Sequence, residues 1–143
     1  MKSPQFLLKQ KRPNPKVSNI HLRVPAQAEF VGLVKSTTNS VIARTNLSFD
    51  ELMDWALAID EAFGIVINHS PDQGDVLIDF LIVDTGLEIS ITGPSGSSEA
   101  QLQTDACQWA WAIVTGSVPE ADSVVSQNGS VTLTLRSRVV ASA

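Results

Sequence analysis

The segment "LSFDELMDWALAIDEAFGIVINHS", Leu47 to Ser70, constrains the fold more than any other. Ser48 and Glu51 stand in Ser-x-x-Glu spacing, a capping box in which each side chain bonds the other residue's backbone N–H. Asp50 adds an acid in the first turn, where the helix dipole favours it. Leu52, Ala56, Ile59, Phe63, Val66 and Ile67 then recur at i, i+4, i+7 and i+11, one apolar stripe of a long helix. Such a helix must lay its stripe on a second layer.

Strands supply that layer. "NIHLRV", Asn19 to Val24, alternates apolar and polar and reads as a strand ended by Pro25. "VLIDFLIVD" and "LEISIT" are two more, joined by a tight link at Thr85 and Gly86. "SPDQGD" between the long helix and the first of these is a turn. "SVVSQNGSVTLTLRSRVV" is a hairpin around Asn128-Gly129. A helix over about Gln27 to Arg44 carries Phe30, Leu33, Val34, Val41 and Ile42. Its "STTNS" centre has poor helix propensity, so packing must hold it. "DACQWAWAIVTG" suits a short helix stopped near Gly116 and Pro119, after a flexible "GPSGSSEAQLQT". The order β-α-α-β-β-α-β-β excludes a doubly wound parallel sheet. It predicts an α+β two-layer sandwich, with helices on one face of a mixed, mostly antiparallel sheet. Residues 1–18 read as a basic, weakly held arm, and 19–143 as one domain.

Charge is unevenly spread. Up to Arg23 there are six basic residues and no acid; from Thr45 to Leu135 there is no Lys or Arg. An acidic body is a poor phosphate clamp but a plausible surface for a basic protein partner, or simply a solvated face. The arm is broken by Pro4, Pro13 and Pro15 and lacks interleaved aromatics, which argues against direct nucleic-acid binding. One cysteine, Cys107, excludes an internal disulfide and a cysteine zinc site, and two histidines make a histidine-rich metal site a poor reading. "FLL" is too short for a signal-peptide core, and no apolar run reaches the roughly 18 residues of a membrane span. A cytoplasmic protein is expected.

The long helix has a second face. Glu61, Ile65 and Asn68 lie in one row opposite the stripe, flanked by Leu57 and Gly64. Apolar residues there imply a cover: a lid, a ligand, a partner, or the Gly/Ser segment folding back.

With these elements in order, residues 19 to 138 resemble the anti-sigma-factor serine kinases of the histidine-kinase-like (GHKL) ATPase superfamily. "LRVPAQAEFVGLVK" is similar to that family's opening, "DEAFGIVINH" to its nucleotide-site helix, and the closing hairpin to its last two strands. The resemblance implies the histidine-kinase-like (Bergerat) fold and a site for ATP and Mg²⁺. The family helix reads Glu-Ala-x-x-Asn-x-x-Asn-His. Glu61 matches the catalytic base, and Asn68 and His69 match the end, but Ile65 replaces the metal-binding Asn and offers no oxygen to Mg²⁺. Where the family has Asp-x-Gly to read adenine, this chain has "ITGPSG", leaving Thr92 and Gly93 as candidate nucleotide contacts. Gln108, Trp109 and Trp111 stand where the family's phosphate-cradling glycines would be. The expectation is therefore no metal site, no resident cofactor, and a site packed shut by Ile65, Trp109 and Trp111. Glu61 fits equally a plain surface carboxylate. The resemblance further implies a homodimer that sequesters a sigma factor through its first helix, with Glu29 and Lys35 as candidate contacts, and yields it to an anti-anti-sigma antagonist. The competing readings are an active Mg-ATP-dependent serine/threonine kinase acting on that antagonist, and a scaffold domain for an unrelated partner.

Overall fold

The computed structural model describes residues 17–68, 70, 74–83, 86–96 and 104–137. The arm before Val17, His69, the turn centred on 71–73, the link at 84–85 and most of the Gly/Ser segment lie outside the described residues.

The elements follow the expected order. Strand β1 (Ser18–Pro25) leads through a 3₁₀ turn (Ala28–Phe30) into α1 (Val31–Ile42) and then α2 (Phe49–Asn68). Next come β2 (Asp75–Val83), β3 (Gly86–Thr92), α3 (Asp105–Ser117), β4 (Glu120–Val125) and β5 (Val131–Arg136). The five strands form one sheet in the order β1-β2-β3-β5-β4. Every pairing is antiparallel, where the sequence suggested a mixed sheet. The reason is the last hairpin. The crossover through α3 sets β4 in the same direction as β3, but β5 turns back at Asn128-Gly129 and inserts between them. Gly129 takes a φ of 82°, the left-handed conformation this turn requires. β1 also gains Ser18 and Pro25, and β4 begins at Glu120 rather than Ser123.

Register gives the sheet two unlike faces. Ile20, Phe80, Ile89, Leu135 and Ala121 form one cross-strand row, and Leu22, Ile78, Ile91 and Leu133 the next. These rows face the helices, and their central members are fully buried. The opposite face is polar. His21 pairs with Asp79, and Arg23 approaches Asp75 at 3.8 Å. Arg136 bridges Glu88 and Asp122, which hold its guanidinium even more firmly protonated through hydrogen bonds. Ser90 meets Thr134, and Thr92 meets Thr132 at 3.1 Å. All helices therefore sit on one side, as a two-layer sandwich requires.

α2 is the spine of the helix layer. Its start is the expected capping box: Ser48 N–H donates to Glu51 Oε1 and Glu51 N–H to Ser48 Oγ, both at 3.1 Å. Its buried arc is wider than the expected stripe and rotated from it. Trp55, Ala58, Ile59, Ala62, Phe63, Ile65 and Val66 are buried, while Leu52, Ala56 and Ile67 are only half-buried. α2 packs against the sheet, α1 and α3 together, so apolar residues beyond one stripe are covered. In α1 the weak "STTNS" centre is held from within: Thr37 and Thr38 hydroxyls donate back to the carbonyls of Leu33 and Val34. That pattern lets Thr38 be wholly buried without an orphaned hydroxyl.

Candidate functional site

α2 carries the three candidate residues Glu61, Ile65 and Asn68, which do not share one environment. Glu61 is half-buried, Ile65 is 3% exposed and Asn68 is exposed at the helix end. The row anticipated on this face is therefore covered only in part. Ala58, Ala62 and Ile65 share one flank at i, i+4 and i+7, and their side chains enter the same core as Cys107 and Val114 of α3. Two alanines there let α3 pack closely along α2. Next to this flank the surface is open: Leu57 is half exposed, and a Cβ on Gly64 would meet no atom within 4 Å.

The aromatic closure expected over this site divides. Trp111 is partly buried against the core, but Trp109 is 73% exposed and closes nothing. α3 is capped by Thr104, whose hydroxyl accepts from Cys107 N–H at 3.3 Å. Successive residues on a helix are about 100° apart, so burying Cys107 and Trp111 at i and i+4 turns Trp109 outward. Burial also raises the pKa of the Cys107 thiol.

Thr92 and Gly93 end β3 and part company. Thr92 lies on the helix-free face with its hydroxyl on Thr132, turned away from Asn68 and Glu61. Gly93 is buried against the end of α2, where a Cβ would stand 2.8 Å from Val66 Cγ1 and 3.1 Å from Ser70 Oγ. Its N–H donates to Val131 O at 2.9 Å, and its carbonyl accepts from Ser130 Oγ at 2.7 Å. Gly96 N–H continues the attachment, donating to Asn128 O. Gly93 thus answers to close packing, and both its backbone groups are already engaged. The sequence held no sign of this clamp, because Ser130 lies far along the chain and meets Gly93 only through the β3–β5 register.

Of the first-helix candidates, Glu29 is exposed on the 3₁₀ turn, whereas Lys35 leans on α2 with Nζ 3.7 Å from Asp60. Both members of that pair are well solvated, so it contributes about 0–1 kcal/mol.

Among the described residues, those that the resemblance assigns to Mg-ATP do not fit it. The position matching the family's metal-binding Asn is a buried alkyl group, Thr92 points to the wrong side of the sheet, and the Gly93 amide is taken. No helix among the described residues is long and apolar enough to cross a membrane.

No protein-family model matches the chain. Among curated proteins it is similar to serine-protein kinases RsbW. The Bacillus pumilus protein is 29% identical over 89 residues, 59% of this chain and 55% of that protein. The Halalkalibacterium halodurans protein is 32% identical over 74 residues, 51% and 46% of the two lengths. The Bacillus subtilis protein is 31% identical over 81 residues, 54% and 51%. The chain thus spans about half the length of the curated relatives it matches. A crystal structure of the RsbU and RsbW domains of Rv1364c from Mycobacterium tuberculosis aligns with a TM-score of 0.66, covering 85% of this chain and 32% of that one. At 19% identity it establishes the shared α+β fold.

Proposed function

We propose that this chain, which belongs among the relatives of the RsbW serine-protein kinases, is an anti-sigma factor that works by binding rather than by phosphorylation. In this reading it sequesters a stress-response or sporulation-type sigma factor and releases it by partner exchange with an anti-anti-sigma antagonist. It acts as a homodimer in the cytoplasm, without touching nucleic acid. The observation that carries the reading is Ile65, buried where the resembling kinases place a metal-binding Asn. Phosphoryl transfer depends on metal bridging and charge neutralisation, and a lone carboxylate at Glu61 supplies neither. The acidic body, with no Lys or Arg from Thr45 to Leu135, suits a basic partner and offers no substitute phosphate clamp. Glu29 stands free on the entry to the first helix as a contact; Lys35 would first have to leave Asp60.

The test is gel filtration of the chain with each sigma factor of its host. A co-eluting complex at micromolar concentration is expected, weakened by Glu29→Lys; no complex with any of them would refute the reading. The second reading, an active serine/threonine kinase, is favoured by Glu61 and Asn68 standing on one side of α2. It requires Mg-ATP at this site. Nucleotide at 100 times its Kd would stabilise the fold by about 2.7 kcal/mol, so a Mg-dependent shift lost in Glu61→Ala would favour it.

A further inference from the structure

The outward side of α2 bears an apolar ridge that no described element covers. Phe49, Met53 and Leu57 recur every four residues and are 74%, 56% and 47% exposed. Single exposed apolar residues are ordinary, but three in a row on one helix make a contiguous patch. Its borders are acidic. Asp50, Asp54 and Glu61 line one side in helical projection, Asp60 projects within the ridge itself, and among the described residues only Asp60 has a basic neighbour, Lys35. A matching occupant is therefore apolar and basic together.

The chain contains such a segment. Residues 1–16 hold Phe6, Leu7 and Leu8 followed by Lys9, Lys11, Arg12 and Lys16, with Lys2 ahead and no acid among them. The topology places their root at the right end of the domain. β1 begins at Ser18 opposite Ile82 and ends at Pro25 opposite Asp75. α1 returns the chain, and α2 then runs from Phe49 to Asn68, just ahead of Asp75. The start of α2 and the start of β1 thus share one end. The eight steps from Leu8 to Lys16 reach up to about 26 Å when extended, against a helix about 10–12 Å across.

We propose that residues 1–16 dock in cis on α2, with Phe6, Leu7 and Leu8 on Phe49, Met53 and Leu57. The basic run then lies along Asp50, Asp54 and Glu61. The arm covers the ridge and neutralises part of the acidic face, so any partner of that face competes with it. This does not rest on the sigma-factor reading.

Trypsin reads the docking directly. Its sites in the arm follow Lys2, Lys9, Lys11 and Lys16, Arg12 being blocked by Pro13, and the body from Thr45 to Leu135 has none. In the full chain these bonds are cut about fivefold or more slowly than in Met53→Asp, because cleavage tracks the undocked population. The double variant Asp50→Asn, Asp54→Asn, which leaves the ridge intact and adds no tryptic site, speeds cleavage as well. Circular dichroism checks that both variants keep the fold. Equal rates in all three proteins would overturn the proposal and leave the ridge to an external partner. Protection that disappears on dilution would also overturn it, assigning the ridge to the arm of a second copy.

Discussion

Replacing Ile65 by Asn restores on paper the residue that the resembling kinases use for metal, and the structure says what it costs. Ile65 is 3% exposed and packed on the flank of α2 with Ala58 and Ala62. Losing a buried isoleucine removes about 1.5–3 kcal/mol of transfer free energy. An amide left without partners in the same place costs about 1–3 kcal/mol more. The sum, about 2.5–6 kcal/mol, is a large part of the 5–15 kcal/mol that holds a typical domain. For a chain of this size it lowers Tm by roughly 10 °C. Ile65→Val, which only trims a methyl group, costs about 0.5–1.5 kcal/mol. Urea unfolding followed by tryptophan fluorescence gives both values, and a thermal shift with Mg-ATP gives the functional half. The expected result is a strongly destabilised Ile65→Asn that still ignores Mg-ATP, since Gly93 has no free backbone group and Thr92 faces away. A variant within about 1 kcal/mol of wild type that gains a Mg-ATP-dependent Tm rise would refute the reasoning, because it would require a solvated polar site beside α2.

Two glycines respond oppositely to alanine: Gly93→Ala is destabilised by about 1–3 kcal/mol through the clash with Val66 and Ser70, and Gly64→Ala gains about 0.5–1 kcal/mol, both measurable by urea midpoint. Ser48→Ala loses half of the capping box and costs about 1 kcal/mol by the same assay. Trp55→Ala costs about 3–5 kcal/mol while Trp109→Ala stays within about 0.5 kcal/mol, and acrylamide quenching falls sharply only when Trp109 is removed. Burial raises the Cys107 pKa above its ordinary 9.0, so the unfolded chain loses that proton first as pH rises. Below that range the term is constant; above about pH 9 stability falls in the wild type more steeply than in Cys107→Ala, read from urea midpoints across pH.

Much of the fold was legible because its signals are local. The Ser-x-x-Glu capping box, the Asn-Gly turn and the period-2 strands are short-range chemistry, and each appears among the residues that signal it. The two-layer architecture followed from their order. The site was less legible. Ile65 and Glu61 were readable as positions on a helix, but their burial was not, since it depends on what α3 brings beside them. Trp109 looked like a lid and is a surface residue, because only one side of α3 meets the core. Thr92 and Gly93, adjacent in sequence, look to opposite sides of the sheet, and pleating alone decides that.

The sequence by itself determined the elements, their order, the segregation of charge and the absence of an oxygen at position 65, all properties of residues and their near neighbours. Only the tertiary structure decided which face of α2 is dry, that Gly93 is clamped by Ser130 and Val66, and that Phe49, Met53 and Leu57 stand exposed among acids. Those outcomes depend on contacts between residues dozens of positions apart, and such contacts arise only when helices and strands settle into one packing.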